Sequence, residues 1–465
     1  MRARSRAGAG TVQNTSPQHL LPGRARRRGA GFALTAALGV ALTAIPGAPA
    51  TAHPEHSTQA SATVLLEWNL RAQAVTTSLR PTAHGQTRGI AMVAGAVYDA
   101  VNAIDRGREP YLLDLRGLRI ERGASTDAAV ATAAHHVLVA LAPAQQASLD
   151  SALAATLGAV PDGEAEDEGV RAGAAAADAM LDAREGDGFM APFTFDLGTG
   201  PGDWRPFPAG ALDPDAWVGN LRPFLIRSPD QFPSSGPNSL SSAKYTRDFT
   251  EVKELGSLTS TTRTADQTKT AIFWQAAPAP LWHGMARDLI TRRGLGAADA
   301  ARLLASMSLA GADGAISCWN DKYHWQFWRP VTAIREADTD GNPATTADPT
   351  WLPLFDPSTP STPPLSNPPF PEHPSGHGCV TGATLTAVKN FFGTDKVTIN
   401  LVSGRYPGEV RTFTRLSTVM DEVIDARVWG GIHFRSSDVA GTEIGKEVGR
   451  WTDLHYFRPV HHRSR

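Results

Sequence analysis

The sequence predicts an all-α protein, a helical bundle carrying long irregular loops. Three observations predict it. Apolar residues recur at helical spacing in a succession of stretches of helix length. Between them lie segments rich in Gly, Pro, Trp and Ser with no period, above all 186–245 and 338–374. One short stretch, 397–402, has β character, and no solenoid-type repeat is present. A hydrophobic content of 42% in 465 residues supplies a sizeable core, and 19% charged residues is a globular composition.

Residues 1–52 differ from the rest. They hold seven arginines and no acid, then an uncharged apolar run over 32–45, then Ala50-Thr51-Ala52. The run is short for a bilayer span, and the small residues fit an A-x-A cleavage site, so this segment is expected to be an export signal. Its removal takes the formal charge from −2 to −9. A chain that acidic is a poor nucleic-acid binder. No later stretch is long and apolar enough to span a membrane, and a secreted protein is expected.

Residues 53–85 read as an extended lead-in. A buried helix is expected over 87–104, with Asp99 and Asn102 bonding to neighbouring helices. Another spans 126–141, capped by Ser125 or Thr126, with Asp127 in its first turn; its His135-His136 pair reads as packing or surface. Further helices are expected at about 143–157 and 164–184, then at 246–255, 265–276, 281–293 and 297–317. Leu303, Leu304, Met307, Leu309 and Ala310 mark the apolar face of the last. Eleven prolines over 343–374 exclude helix and central strand there, leaving a surface linker or a rigid cover. Helices follow at 379–392 and 414–428, and a final one is capped by Ser436-Ser437-Asp438. The two cysteines, Cys318 and Cys379, admit either a disulfide or two buried thiols.

Chemistry concentrates in three segments. The first carries Lys322 and, seven residues on, Arg329-Pro330. The second is Glu372-His373-Pro374-Ser375-Gly376-His377, where a helix start offers free N–H groups to an anion. The third carries Arg427 and, six residues on, His433. Each alone is a weak signal, since paired surface cations are common. Together they supply three cations, a hydroxyl, a glycine N–H and two histidines, which suits a tetrahedral oxyanion. One histidine can bond the central atom while the other moves a proton. A zinc site on His373 and His377 is disfavoured, because Pro374-Ser375-Gly376 breaks the helical turn such a pair needs.

In this order the segments resemble the signature K-x6-R-P, P-S-G-H, S-R-x5-H-x3-D of the vanadium-dependent haloperoxidase / phosphatidic acid phosphatase type 2 superfamily, most of all its exported bacterial branch. The resemblance is strong over about 265–455. It implies a helical bundle of the vanadium haloperoxidase/acid phosphatase type over 261–465, following an N-terminal helical part over 53–260. It implies vanadate as cofactor, with hydrogen peroxide and halide as substrates. Lys322, Arg329, Arg427, Ser375 and the Gly376 N–H would bind the oxygens of vanadate or phosphate. His433 would bond to vanadium, or attack phosphorus, and His377 would act as acid and base. Lys322 would also polarise bound peroxide. Trp319 and Phe370 fall where the family places halide-pocket aromatics, and are otherwise core packing. Two positions depart from the signature: Ala426 replaces its Ser, and Ser437 stands where its acid is expected, with Asp438 one place late. The resemblance also admits an exported acid phosphatase acting on a phosphate ester through a phosphohistidine, and a bare oxyanion-binding module would leave the two histidines unexplained.

Overall fold

A computed structural model of the protein describes residues 55–79 and 82–460. The export signal read into 1–52 lies outside the described residues. In chain order the helices are α1 (Glu55–Leu79), α2 (Ala83–Asp105), α3 (Thr126–Leu141), α4 (Gln146–Leu157), α5 (Glu164–Arg184), α6 (Ala243–Leu255), α7 (Ala265–Phe273), α8 (Pro278–Arg293) and α9 (Ala297–Trp325). They continue with α10 (Pro330–Arg335), α11 (Gly376–Phe392), α12 (Leu416–Trp429) and α13 (Arg435–His455). A two-stranded antiparallel ribbon, β1 (Ile399–Val402) and β2 (Val410–Phe413), pairs Ile399 with Phe413 and Val402 with Val410. The all-α prediction holds.

Local chemistry explains many of the boundaries. Thr82, Ser125, Ser242, Thr264 and Ser375 each accept a backbone N–H at the start of α2, α3, α6, α7 and α11. Thr264 and Gln267 complete a capping box. Gly294 and Gly393 end α8 and α11 in the left-handed conformation that glycine adopts without steric cost.

Several expectations are corrected. The lead-in is helix α1, because Leu65, Trp68, Ala72 and Val75 share one buried face at helical spacing. Helix α9 runs eight residues beyond the expected 317, since its aromatic end stays buried through Tyr323 and stops at Gln326 in the left-handed region. Asp99 does not bond to another helix. Its carboxylate accepts the N–H groups of Tyr111, Leu112 and Leu113 and holds the loop after α2, while Asn102 bonds to Arg108. Helix α13 has Phe434 as its N-cap and begins at Arg435, ahead of the expected Ser436-Ser437-Asp438 cap, which turns Ser437 and Asp438 inward as buried residues of its first turn. The proline-rich segment is no surface linker: Trp351, Leu354, Phe355, Leu365, Glu372 and His373 are buried in it.

The long segment before α6 carries only the 3-10 turn Ala216–Asn220, yet it is anchored. Asp313 on α9 accepts the N–H groups of Phe224, Leu225 and Ile226 at 2.6, 2.6 and 2.8 Å. Asp187 joins both Arg88 and Arg184 at 2.8 and 2.7 Å. Buried backbone amides thus find acceptors without a sheet.

Helix α9 is the axis of the molecule. It lies against α2 on the N-terminal side and against α11 and α13 on the C-terminal side, and a disulfide between Cys318 and Cys379 joins α9 to α11. The α11–α13 crossing is a seam of glycines. A Cβ on Gly445 would lie 2.2 Å from the Cys379 carbonyl oxygen, and one on Gly441 would lie 2.4 Å from the Ser375 carbonyl oxygen. This close approach seats the start of α11 against the first turn of α13. Gly445→Ala is therefore expected to destabilise the fold by about 1–3 kcal/mol, read as a lower denaturant midpoint with an unchanged m-value.

Candidate active site

The end of α9, the start of α11 and the turn after α12 meet at a pocket of about 330 Å³. Of the residues singled out in the sequence, Trp319, Phe370, Gly376, His377, Arg427 and His433 line it. Lys322, Arg329 and Ser375 stand directly behind its wall, fully buried. His373 does not join His377: it lies outside α11 and bonds to Ser437 and Ser234. Among the described residues no cluster of His, Cys, Asp and Glu suits a metal cation.

Each cation is held by oxygen. The Lys322 ammonium donates to the carbonyls of Pro371 and Glu372, each at 2.9 Å, and to that of Pro374. The Arg329 guanidinium donates from Nε to the Phe370 carbonyl at 2.9 Å and from Nη1 to the Ile432 carbonyl at 2.8 Å. Nη1 also stands 3.3 Å from His433 Nε2. Arg427 Nη1 donates to Trp274 O at 3.2 Å and Gln275 Oε1 at 3.1 Å, and its Nε has no partner. Burial drives the Lys322 ammonium well below its ordinary pKa, with Arg329 adding to the effect, and lowers Arg329 to about 10 and Arg427 to about 9.

Burial disfavours a charge on either histidine. Burial, then the charge of Arg427, holds His377 well below the usual imidazole value; burial, then Arg329, does the same for His433. His377 Nε2 has no hydrogen-bond partner. The acid on His433 is the main correction. Asp438 does not reach it; Asp438 lies buried beside Ser375, its carboxyl pushed well up by burial. Instead Glu372, immediately before the His373-Pro374 pair, places Oε1 2.8 Å from His433 Nδ1, and Phe434 N donates to the same oxygen at 3.0 Å. Ser437, at the position of the missing acid, donates to Glu372 Oε2 at 2.6 Å. Burial pushes Glu372 up to about 7, opposed by Ser437, Arg329 and Lys322.

The opposite wall is apolar. The Trp319 and Phe370 rings lie 4.9 Å apart, and both face the Lys322 ammonium, at 5.5 and 5.3 Å. A Cβ on Gly376 would fall 2.8 Å from the Trp319 ring, so only glycine admits the indole there. Trp319 Nε1 and Tyr323 OH donate to Asp213 at 2.9 and 2.8 Å. His84 sets its ring 3.8 Å from Trp319, with Nδ1 unpartnered, and burial lowers its pKa to about 3. Sequence reasoning missed His84, Asp213, Gln275 and the role of Glu372. His84 and Asp213 sit in segments read without a helical period, and Gln275 ends an expected helix with no signature to mark it. Glu372 adjoined the P-S-G-H turn, and its position there was the available signal.

The arrangement fits an oxyanion such as vanadate. Two buried polar atoms on this wall, His377 Nε2 and Arg427 Nε, have no partner, and three cations stand around them. Lys322→Met would leave the buried carbonyls of Glu372 and Pro374 without a donor, while that of Pro371 keeps only the 3.4 Å bond from Arg329 Nη2. It is expected to destabilise the fold by roughly 3 kcal/mol or more and to abolish phosphate binding, checked by chemical denaturation and calorimetry.

Residues 302–461 match the family described as the VCPO second helical-bundle domain. A vanadium chloroperoxidase from Curvularia inaequalis is 30% identical over 183 residues, an alignment taking in 32% of this chain. The chain spans 29% of the length of that relative. A crystal structure described as that of the first bacterial vanadium-dependent iodoperoxidase is similar over 89% of this chain and 100% of its own, with TM-score 0.71 and 22% identity. A holo bacterial vanadium-dependent chloroperoxidase is similar over 80% and 92%, with TM-score 0.60 and 18% identity. The signature segments and the match over residues 302–461 support the vanadium-dependent haloperoxidase / phosphatidic acid phosphatase type 2 superfamily for the C-terminal part of the chain, and the solved structures share its helical fold.

Proposed function

We propose that the protein is a vanadium-dependent haloperoxidase that oxidises halide with hydrogen peroxide to hypohalous acid. The observation that carries this reading is the convergence of His433 Nε2, His377 Nε2 and the Arg427 guanidinium on one pocket, the last two with unspent hydrogen-bonding atoms. Vanadate, when bound, supplies Lewis acidity that activates peroxide toward halide without a change in oxidation state. His433 is the residue to hold it, through the Nε2 lone pair. Arg427, Arg329 and the Gly376 N–H would balance and orient its oxygens, with Lys322 adding charge from behind the wall. His377, kept neutral by burial and by Arg427, is suited to take a proton at Nε2. Trp319 and Phe370 exclude water beside it. Export through residues 1–52 belongs to the same proposal.

One observation favours the second reading, an exported acid phosphatase. The Glu372–His433 pair at 2.8 Å is the carboxylate–imidazole arrangement that a nucleophilic histidine uses. His433 Nε2 would then attack phosphorus, and the leaving oxygen would need a proton from His377.

Stripping the protein with a chelator at low pH and adding back orthovanadate separates the two. Halide oxidation with peroxide that appears only after vanadate addition is expected. Phosphate-ester hydrolysis inhibited by vanadate, with no halide oxidation, would overturn the first reading in favour of the second. His433→Ala is expected to abolish either activity, by at least about 1,000-fold, as removal of a group bonded to the reacting centre does.

A further inference from the structure

His433 has two ring nitrogens, and only one protonation pattern suits a residue that bonds an oxyanion's central atom through Nε2: hydrogen on Nδ1, lone pair on Nε2. Hydrogen-bond bookkeeping around the ring settles the pattern. Arginine only donates, so the 3.3 Å contact from Arg329 Nη1 marks His433 Nε2 as an acceptor. Nδ1 then carries the hydrogen and gives it to Glu372 Oε1.

The same reasoning extends outward. Ser437 has one hydroxyl hydrogen and spends it on Glu372 Oε2. Its contact with His373 Nδ1 at 2.9 Å must therefore run from the imidazole to the hydroxyl oxygen. His373, kept neutral by burial with a pKa of about 3, then presents Nε2 as an acceptor. Ser234 Oγ, 2.9 Å away, donates to it, while accepting the Gly236 N–H at 3.2 Å. Every hydrogen along Ser234, His373, Ser437 and Glu372 points toward the carboxylate. The chain starts at Ser234, in the lining of a separate pocket of about 680 Å³, and ends on the active-site ring.

We propose that Glu372 is the positioning residue of His433, taking over the task of the acid missing at position 437, and that His373, acting through Ser437, holds Glu372 in place. The inference rests on the reading of His433 as the residue that bonds the central atom. It assigns work to two residues of the P-S-G-H approach that contact no substrate, and gives Ser437 a different part from that of the acid it replaces.

The test uses protein free of vanadate. The ring nitrogens of His433 are read by ¹H–¹⁵N correlation, and affinities for inorganic phosphate and orthovanadate by calorimetry. In the wild type His433 is expected wholly as the Nδ1–H form. Glu372→Gln keeps shape but offers an amide that donates as well as accepts. It is expected to bring a substantial Nε2–H population and to weaken phosphate binding roughly 10- to 100-fold, the usual cost of losing an outer-shell partner. Ser437→Ala and His373→Leu are expected to weaken binding in the same direction by roughly ten-fold, with faster solvent exchange of the Nδ1 proton. His373→Asn, whose amide can replace the Nδ1 donor, restores both readings. A Glu372→Gln protein in which His433 stays wholly Nδ1–H with unchanged affinity overturns the proposal. So does a folded His373→Asn protein as impaired as His373→Leu, or an unaltered Ser437→Ala. The tautomer reading is independent of the anion. A wild type that binds neither probe therefore overturns the functional reading, while the ring populations still decide this one.

Discussion

The buried ammonium of Lys322 is the fixed point of the site. A charge taken out of water costs several kcal/mol unless its donors are met, and here three backbone carbonyls, those of Pro371, Glu372 and Pro374, meet them. The requirement acts both ways. The ammonium needs the loop, and a proline-rich loop that forms no regular ladder needs the ammonium. By closing that loop over the end of α9, Lys322 sets Glu372 beneath His433 and delivers the chain to Ser375 at the start of α11. Phe370 is held by the same arrangement, through the bond from Arg329 Nε to its carbonyl oxygen.

The second constraint is steric. The start of α11 lies against α13 because Gly378, Gly382, Gly441 and Gly445 leave no room for a Cβ at the crossing. That contact brings Asp438 beside Ser375 and lets Ser437 reach Glu372. On the other side of α11 the disulfide joins it to α9. The oxyanion wall therefore sits on three helices that cannot slide independently, which suits a site whose donors must be in place before the anion arrives.

Much of the fold was legible in the sequence. Helices α3 and α5 follow from apolar spacing, α3 also from its Ser125 cap, and Cys318 and Cys379 were identified, though not their pairing. Other elements were hidden for identifiable reasons. Helix α1 has a buried face in Leu65, Trp68, Ala72 and Val75, yet it follows a segment read as an extended lead-in. The last turns of α9 are crowded with aromatics, whose helix preference is weak and which burial overrides. The proline-rich cover showed what it could not be, since proline excludes helix and ladder, but not that Leu354, Phe355 and Leu365 would be buried.

At the site the division has one physical cause. Residue types pointed to the chemistry: Lys322, Arg329, Ser375, Gly376, His377, Arg427 and His433 supply the groups an oxyanion needs, and their intervals resemble a family signature before any fold is known. Spacing cannot report which side chains meet across the pocket. The signature puts an acid four residues after His433, and Ser437 in that position left the histidine without a partner. The tertiary structure supplied the acid from Glu372, 61 residues earlier. A hydrogen bond depends on a distance of about 3 Å in space and is indifferent to separation along the chain.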